Sequence, residues 1–173
     1  VWDPNHVRAS NPTNPTSTYA YDQLNRLSTV TQAWTGAGGT TAVTTYGYDV
    51  QDHLTAVTDA ESNSTTYIYS DRDLMTQQVS PVSGATHYAY NEHGQLTSET
   101  DARGVIVNRT VDQLDRVTLT DYPGTAIDTT SLYDTSAPGE FFKGRLKSIT
   151  RDGQTIAYSY DRFGRVTQDG SLS

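Results

Sequence analysis

The chain has no cysteine among its 173 residues, so neither a disulfide framework nor a thiolate metal site can form. Secretion stays open, because extracellular proteins have other means of stabilisation. A basic patch is also missing: 12 Lys and Arg stand against 20 Asp and Glu, for a net charge of -8. Phosphate binding draws on clustered Lys and Arg, so no nucleic-acid partner is expected. No apolar run approaches the ~20 residues that span a bilayer. The N-terminus has neither the charged nor the apolar region of a signal peptide. The expected product is soluble as it stands, or a piece of a longer secreted chain. Phenylalanine is scarce, with 3 against 12 tyrosines, and hydrophobic residues make up only 34%. Tyrosine is apolar along the ring and polar at the tip, so such a chain builds only a thin core. Long runs of Ala, Leu, Glu and Lys are absent while Thr and Ser are frequent, which favours strands over helices.

What the chain does have is a recurring phrase. "YSYDRFGRV" from Tyr158 returns as "YAYDQLNRL" from Tyr19, "YGYDVQDHL" from Tyr46, "YIYSDRDLM" from Tyr67 and "YAYNEHGQL" from Tyr88, with two weaker copies in between. Aligned on the second aromatic position, the units fall at Tyr21, Tyr48, Tyr69, Tyr90, Val111, Tyr133 and Tyr160, spaced by 27, 21, 21, 21, 22 and 27 residues. A period this regular marks a repeat architecture, in which each unit buries its apolar face by stacking on its neighbours.

Within a unit, Tyr-x-Tyr has the period of two that puts both rings on one face of a strand. Four residues after the second aromatic position stand Asn25, Asp52, Asp73, Gly94, Asp115 and Gly164, and the sixth unit has Gly144 just before its second strand. These residue types tolerate positive φ, so each unit carries a left-handed turn residue at one register. An apolar residue follows (Leu27, Leu54, Met75, Leu96, Val117, Leu146 or Val166) and opens a second strand rich in Thr and Val. Closing turns come next, at Asp59, Ser80, Asp101, Asp121 and Arg151, built of Asp, Pro and Gly. Each unit is therefore one β-hairpin, and seven hairpins make about 14 strands. The expected fold is all-β, a curved or spiralling antiparallel strip of stacked hairpins. At ~4.8 Å per strand the strip is roughly 65 Å long if unrolled, more than a flat sheet tolerates, so it should twist and curl. Residues 1–18, with three of the six prolines and no alternation, read as an extended lead-in anchored by Trp2, and residues 19–173 as the repeat array. The two long spacings come from insertions, "AWTGAGGTTAV" after Gln32 and "TSAPGEFF" after Asp134, which are placed in loops.

The phrase Y-x-Y-D-x-x-G-R-L, followed by a Thr-rich strand and a D-x-x-G turn, resembles the tyrosine-aspartate (YD) repeat of the Rhs family over residues 19–173. That family includes bacterial polymorphic toxins, the encapsulating subunits of insecticidal toxin complexes, and teneurins. The resemblance implies a sheet that spirals into a hollow shell around a toxic or unfolded polypeptide. It also implies a secreted or cell-surface location as part of a larger bacterial protein, with further repeats or a toxin domain of the parent chain as partners. Ser70 and Asn91 replace the aspartate, Arg109 and Val111 replace both tyrosines of the fifth unit, and Ser131 replaces the first tyrosine of the sixth. Drift of this kind suits packing positions better than identical ligand sites. The self-cleaving segment and toxin tip of such proteins have no match here, so neither activity is carried over.

The side chains assigned to the repeat framework are Tyr19, Tyr21, Asp22, Tyr46, Tyr48, Asp49, Tyr67, Tyr69, Tyr88, Tyr90, Gly94, Asp112, Tyr133, Asp134, Tyr158, Tyr160, Asp161 and Gly164. Each Asp after the second tyrosine can accept hydrogen bonds from the amides of its own turn, which accounts for its recurrence without catalysis. His6, His53, His87 and His93 lack the spacing and carboxylate company of a zinc site. No phosphate loop, dinucleotide fingerprint or nucleophile elbow is present, so no enzyme, cofactor or metal is expected. The alternative is a carbohydrate- or protein-binding adhesion module. Tyr67, Tyr69, Tyr88 and Tyr90 are its candidate ligand contacts, because aromatic planes with nearby carboxylates bind sugars and protein surfaces. Unpaired strand edges at either end predict self-association.

Overall fold

The computed structural model describes residues 16–33, 40–124, 127–133 and 143–172. Among them there is no helix, and the fold is all-β with fourteen strands in antiparallel pairs. The chain divides into two compact units, residues 1–85 and residues 86–173. The first holds β1 (Thr16–Tyr21), β2 (Leu27–Ala33), β3 (Thr41–Tyr48), β4 (Leu54–Thr58), β5 (Ser64–Tyr69) and β6 (Met75–Ser80). The second holds β7 (Gly84–Tyr90), which starts at the boundary, then β8 (Leu96–Thr100), β9 (Ile106–Val111), β10 (Val117–Asp121), β11 (Thr129–Tyr133), β12 (Leu146–Arg151), β13 (Gln154–Tyr160) and β14 (Val166–Leu172). Within each unit the strands follow sequence order, and every strand pairs with the next.

Each odd-numbered strand ends on the second aromatic position, and in every hairpin but the sixth (β11–β12) a five-residue turn leads into the following strand. In the first turn the Asn25 amide donates to the Asp22 carbonyl (3.0 Å) and the Asp22 amide to the Arg26 carbonyl (2.8 Å). The residue expected to be left-handed is so in all seven hairpins: Asn25, Asp52, Asp73 and Asp115 have φ of 60–71°, and Gly94, Gly144 and Gly164 of 75–82°. The same turn recurs in closing connections at Asp59 and Asp101, with Ser62 (φ 67°) and Gly104 (φ 80°) in the left-handed place. Between β12 and β13, Asp152 and Gly153 both have positive φ, the two-residue turn whose twist matches a hairpin.

A feature the spacing does not announce is a bulge at the start of every second strand. Tyr48 faces Leu54 while Gly47 faces Ala56, so Thr55 is the extra residue. Ser28, Thr76, Thr97, Thr118, Lys147 and Thr167 hold the same place in the other hairpins. The hydroxyls of Thr76, Thr97 and Thr118 each donate across the hairpin, at 3.2 Å, to the carbonyl just before the second aromatic position. This places a polar partner where the ladder is broken.

Two readings change in detail. β1 takes in Thr16–Thr18, the last residues of the segment read as a lead-in, which pair with Ala33, Gln32 and Thr31 of β2. Part of the first insertion is strand: Ala33 pairs with Thr41, and β-branched Thr41, Val43 and Thr44 lengthen the β2–β3 ladder. Trp2, His6, Asp134, residues 34–39 of the first insertion and all of the second lie outside the described residues. Among the described residues no large side chain is fully buried and no charged group is sealed from solvent. The strands bury their faces only partly, as a tyrosine-rich, phenylalanine-poor composition predicts.

Candidate functional site

The chemistry-bearing side chains gather at the turn between the two strands of each hairpin. Asp22 follows the strand end directly, and its Oδ1 accepts from the amides of Leu24 and Arg26, both at 2.9 Å. Asp49, Asp112 and Asp161 repeat this pattern with Gln51 and His53, Leu114 and Arg116, and Phe163 and Arg165. The replacements keep it: Asn91 accepts from His93 and Gln95, and Ser70 more loosely, at 3.3 Å, from Arg72 and Leu74. One oxygen thus organises two amides that the turn would otherwise leave to water.

The second carboxylate oxygen holds a cation five residues after the second aromatic position. Asp22 Oδ2 receives Arg26 Nε at 2.7 Å, Asp112 receives Arg116 Nε at 2.8 Å, and Asp161 receives Arg165 Nε at 2.7 Å. His53 replaces arginine in the second hairpin, with Nδ1 2.9 Å from Asp49 Oδ2. These contacts hold the carboxyls below their ordinary range. For Asp112 the guanidinium of Arg116 is the largest cause, and for Asp22 and Asp161 it is the turn amide of Arg26 or Arg165. Asp49 is pushed up by partial burial, but the His53 ring and two amides outweigh this and leave it lowered.

The side chain just before the second strand reaches the next hairpin. The Arg26 guanidinium carbon lies 4.7 Å from the Tyr48 ring centroid, Arg116 lies 4.4 Å from that of Tyr133, and Arg145 lies 5.5 Å from that of Tyr160. His53 stacks on Tyr69 with centroids 4.6 Å apart and planes 16° apart. The covered tyrosine answers with its hydroxyl: Tyr48 donates to the Leu27 carbonyl (3.0 Å) and Tyr160 to the Leu146 carbonyl (2.8 Å). The cation also meets the left-handed residue of the next turn. Arg26 Nη1 is 2.7 Å from Asp52 Oδ1, and His53 Nε2 is 3.2 Å from Asp73 Oδ1. His93, two residues earlier in its turn, is 2.9 Å from Asp115 Oδ1. Gly164 instead lies directly under the Arg145 guanidinium, where a Cβ would collide with it. At Asp52, Asp73 and Gly164 the residue in the left-handed place thus matches what the preceding hairpin places above it.

Between such rungs lie shallow grooves. One of about 400 Å³ is lined by Asp49, His53, Tyr67, Tyr69, Asp71 and Asp73, among others. Another of similar size is lined by Arg116, Leu119, Ser131 and Tyr133 with their neighbours. Burial raises the Tyr69 hydroxyl above its ordinary value, with Tyr67 and Asp49 adding to the shift. Burial also raises that of Tyr88, with Glu99 and Tyr90 adding to it.

The structure therefore brings Tyr67 and Tyr69 to one groove with His53, and one face of the Tyr69 ring is already covered. Tyr88 and Tyr90 stand on β7 of the other unit. Tyr46 and Tyr158 hold the first tyrosine position of β3 and β13 and are half-buried, whereas Tyr19 and Tyr21 on β1 are 60% and 58% exposed. Gly94 takes the left-handed turn position. The residues whose part in the rung sequence reasoning missed are Arg26, His53, Arg116 and Arg145. The signal was the arginine of the G-R-L phrase, whose partner tyrosine stands 15 to 22 residues downstream. Among the described residues no cluster of His, Asp and Glu could hold a metal, and no helix is long and apolar enough to cross a membrane.

No curated protein matches the chain by sequence. Among solved structures it is similar to TcdB2-TccC3-Cdc42, with a TM-score of 0.71 at 14% identity, covering 91% of this chain and 9% of that one. It is also similar to TcdB2-TccC3 without its hypervariable C-terminal region, with a TM-score of 0.65 at 16% identity over 89% of this chain and 9% of that one. The Tc holotoxin pore of Photorhabdus luminescens gives a TM-score of 0.53 at 14% identity over 90% of this chain and 11% of that one. The chain thus spans about a tenth of the structures it matches, and at these identities the likeness is one of fold. The RHS Repeat family profile matches residues 48–83, 69–106 and 143–170, together half of the chain. With the hairpin, the left-handed turn and the aspartate–cation–tyrosine rung recurring at that period, the chain belongs to the RHS repeat family.

Proposed function

We propose that the chain is a structural segment of an Rhs-type shell, part of a wall that encapsulates or scaffolds a toxin or other polypeptide of a larger secreted or surface protein. The observation that carries this reading is the rung: the aspartate, cation and tyrosine of one hairpin are spent on its own turn and on the next hairpin. Groups committed to this degree are a means of stacking hairpins and are not free to act as acid and base in turnover. That argues for a wall rather than an enzyme. The framework residues from Tyr19 to Gly164 then have one role, repeated. The sheet of a longer array of such hairpins would curl, because twisted strands do not extend flat over this many neighbours. The test is the native product in the cells that make it, examined by intact mass and limited proteolysis. A much larger chain with further repeats and a protease-shielded segment supports the wall. A native product of about this size overturns it, because seven hairpins enclose too little.

The groove around Tyr67 and Tyr69, acidic at its rim, favours a second reading, an adhesion module that binds glycans or a surface protein. It requires saturable binding that Tyr67→Ala abolishes without loss of fold. The absence of binding across a broad glycan panel removes the sugar version.

A further inference from the structure

The groove between the second and third hairpins and the one between the fifth and sixth stand at the same place in the repeat. Each is lined by the turn aspartate and cation position of the earlier hairpin (Asp49 and His53; Asp112 and Arg116), by its bulge threonine (Thr55; Thr118), and by the end of the next first strand (residues 67–69; residues 131–133). Their charge differs. The later groove has one carboxylate, Asp112, and the Arg116 guanidinium that matches it at 2.6 Å. The earlier has three carboxylates, Asp49, Asp71 and Asp73, and neither lysine nor arginine in its lining. His53 takes the place that a guanidinium fills in the other, within 2.9 Å of Asp49 and 3.2 Å of Asp73. Asp73 is nevertheless 75% exposed, and Asp71, exposed as well, takes no part in the rung. Both therefore keep oxygens open to solvent.

We propose that this acidic groove takes an arginine or lysine side chain of a partner polypeptide, its charged head between Asp71 and Asp73 and its stem along Ile68, which is half-exposed and part of the lining. The occupant is argued from charge. The equivalent groove carries its own guanidinium, and this one presents more carboxylates without it, so a cation brought from outside completes what the repeat supplies elsewhere. Long basic side chains lay an apolar stem on aliphatic and aromatic surface while the head stays with the charges, which suits Ile68 and the tyrosine rings. The proposal rests on the adhesion reading and names its partner as a basic segment of protein rather than a glycan.

The experiment is fluorescence anisotropy of a labelled oligoarginine peptide titrated with the whole chain, at low salt and at ~0.15 M salt. Saturable binding that weakens with salt is expected of the wild type. Asp71→Asn combined with Asp73→Asn keeps a residue tolerant of positive φ at position 73 and should weaken binding about tenfold, the size of two exposed ion pairs. His53→Arg should weaken it too, since it supplies from within the cation that the partner would bring. Glu92→Gln removes a charge that is 90% exposed and lies outside the groove, and it should change nothing. Circular dichroism checks each variant for strand content. No saturable binding at low salt, equal loss in Glu92→Gln and the double variant, or undiminished binding in the double variant or in His53→Arg overturns the site. The adhesion reading is decided separately, by Tyr67→Ala and the glycan panel. A glycan or surface protein that binds where the peptide does not leaves that reading standing and removes this one.

Discussion

At the scale of single residues, the aspartate after the second tyrosine divides its work between two oxygens, and substitution can separate them. Asp112→Asn keeps an oxygen for the amides of Leu114 and Arg116, as Asn91 does for His93 and Gln95, but loses the charge that clamps Arg116. Asp112→Ala loses both. We expect urea midpoints in the order wild type, Asp112→Asn, Asp112→Ala. A midpoint for Asp112→Asn equal to that of wild type would show that the clamp does nothing, and equal midpoints for the two variants that the amide bonds do nothing. The tyrosine hydroxyl can be isolated in the same way. Tyr48→Phe and Tyr160→Phe each leave a carbonyl without its partner and should cost about 0.5–1.5 kcal/mol in chemical denaturation. Acid should weaken the fold for a related reason. The carboxyls of Asp22, Asp49, Asp59, Asp101, Asp112 and Asp161 are all held below the ordinary aspartate range by the amides and side chains that donate to them. Their contribution is complete above the unfolded-state value and is lost as the pH falls through the folded-state values. Stability should therefore be level above roughly pH 5 and decline steadily below it. A denaturation midpoint that does not move between pH 6 and 3 would contradict the assignment.

At the scale of the hairpin, the left-handed residue and the bulge set the geometry. Asn25→Gly should change little, whereas Asn25→Val places a β-branched side chain at φ 61° and should cost roughly 1 kcal/mol or more. Gly164→Ala combines the same strain with a collision against the Arg145 guanidinium, so it should lower the thermal midpoint more than Gly104→Ala, where the space is open. The hairpins were legible in the sequence because their determinants are local. A residue type that tolerates positive φ, an aspartate that caps its own turn and a period-two pair of rings all declare themselves within nine residues. The bulge was not legible, since Thr55 or Thr97 after an apolar residue looks like any strand threonine. Nor was the rung. Arg26 and Tyr48 are 22 positions apart, and only the strand register brings them into contact, so from the phrase alone the arginine passes for surface charge. The strand content of Thr41–Val43 was hidden by the neighbouring Gly-rich run.

At the scale of the whole molecule, the described strands within each unit touch their neighbours in sequence, and the described residues seal no large side chain away from water. Stability then comes as a sum of hairpins and of the rungs between them. Native-state hydrogen exchange should show graded protection, highest in strands flanked by a hairpin on either side, such as β4 and β12, and lowest at β1 and β14. Uniform protection along the chain would mean a cooperativity these contacts do not supply. The rung carries a further consequence, because it points one way: each cation covers a tyrosine that lies later in the chain. During synthesis a hairpin can therefore fold as soon as it leaves the ribosome, its turn already clamped by its own aspartate. It is completed only when the next hairpin slides a ring beneath its arginine. Growth is vectorial, with every newly made hairpin serving as template for its successor, and no finished part needs to wait for a distant partner.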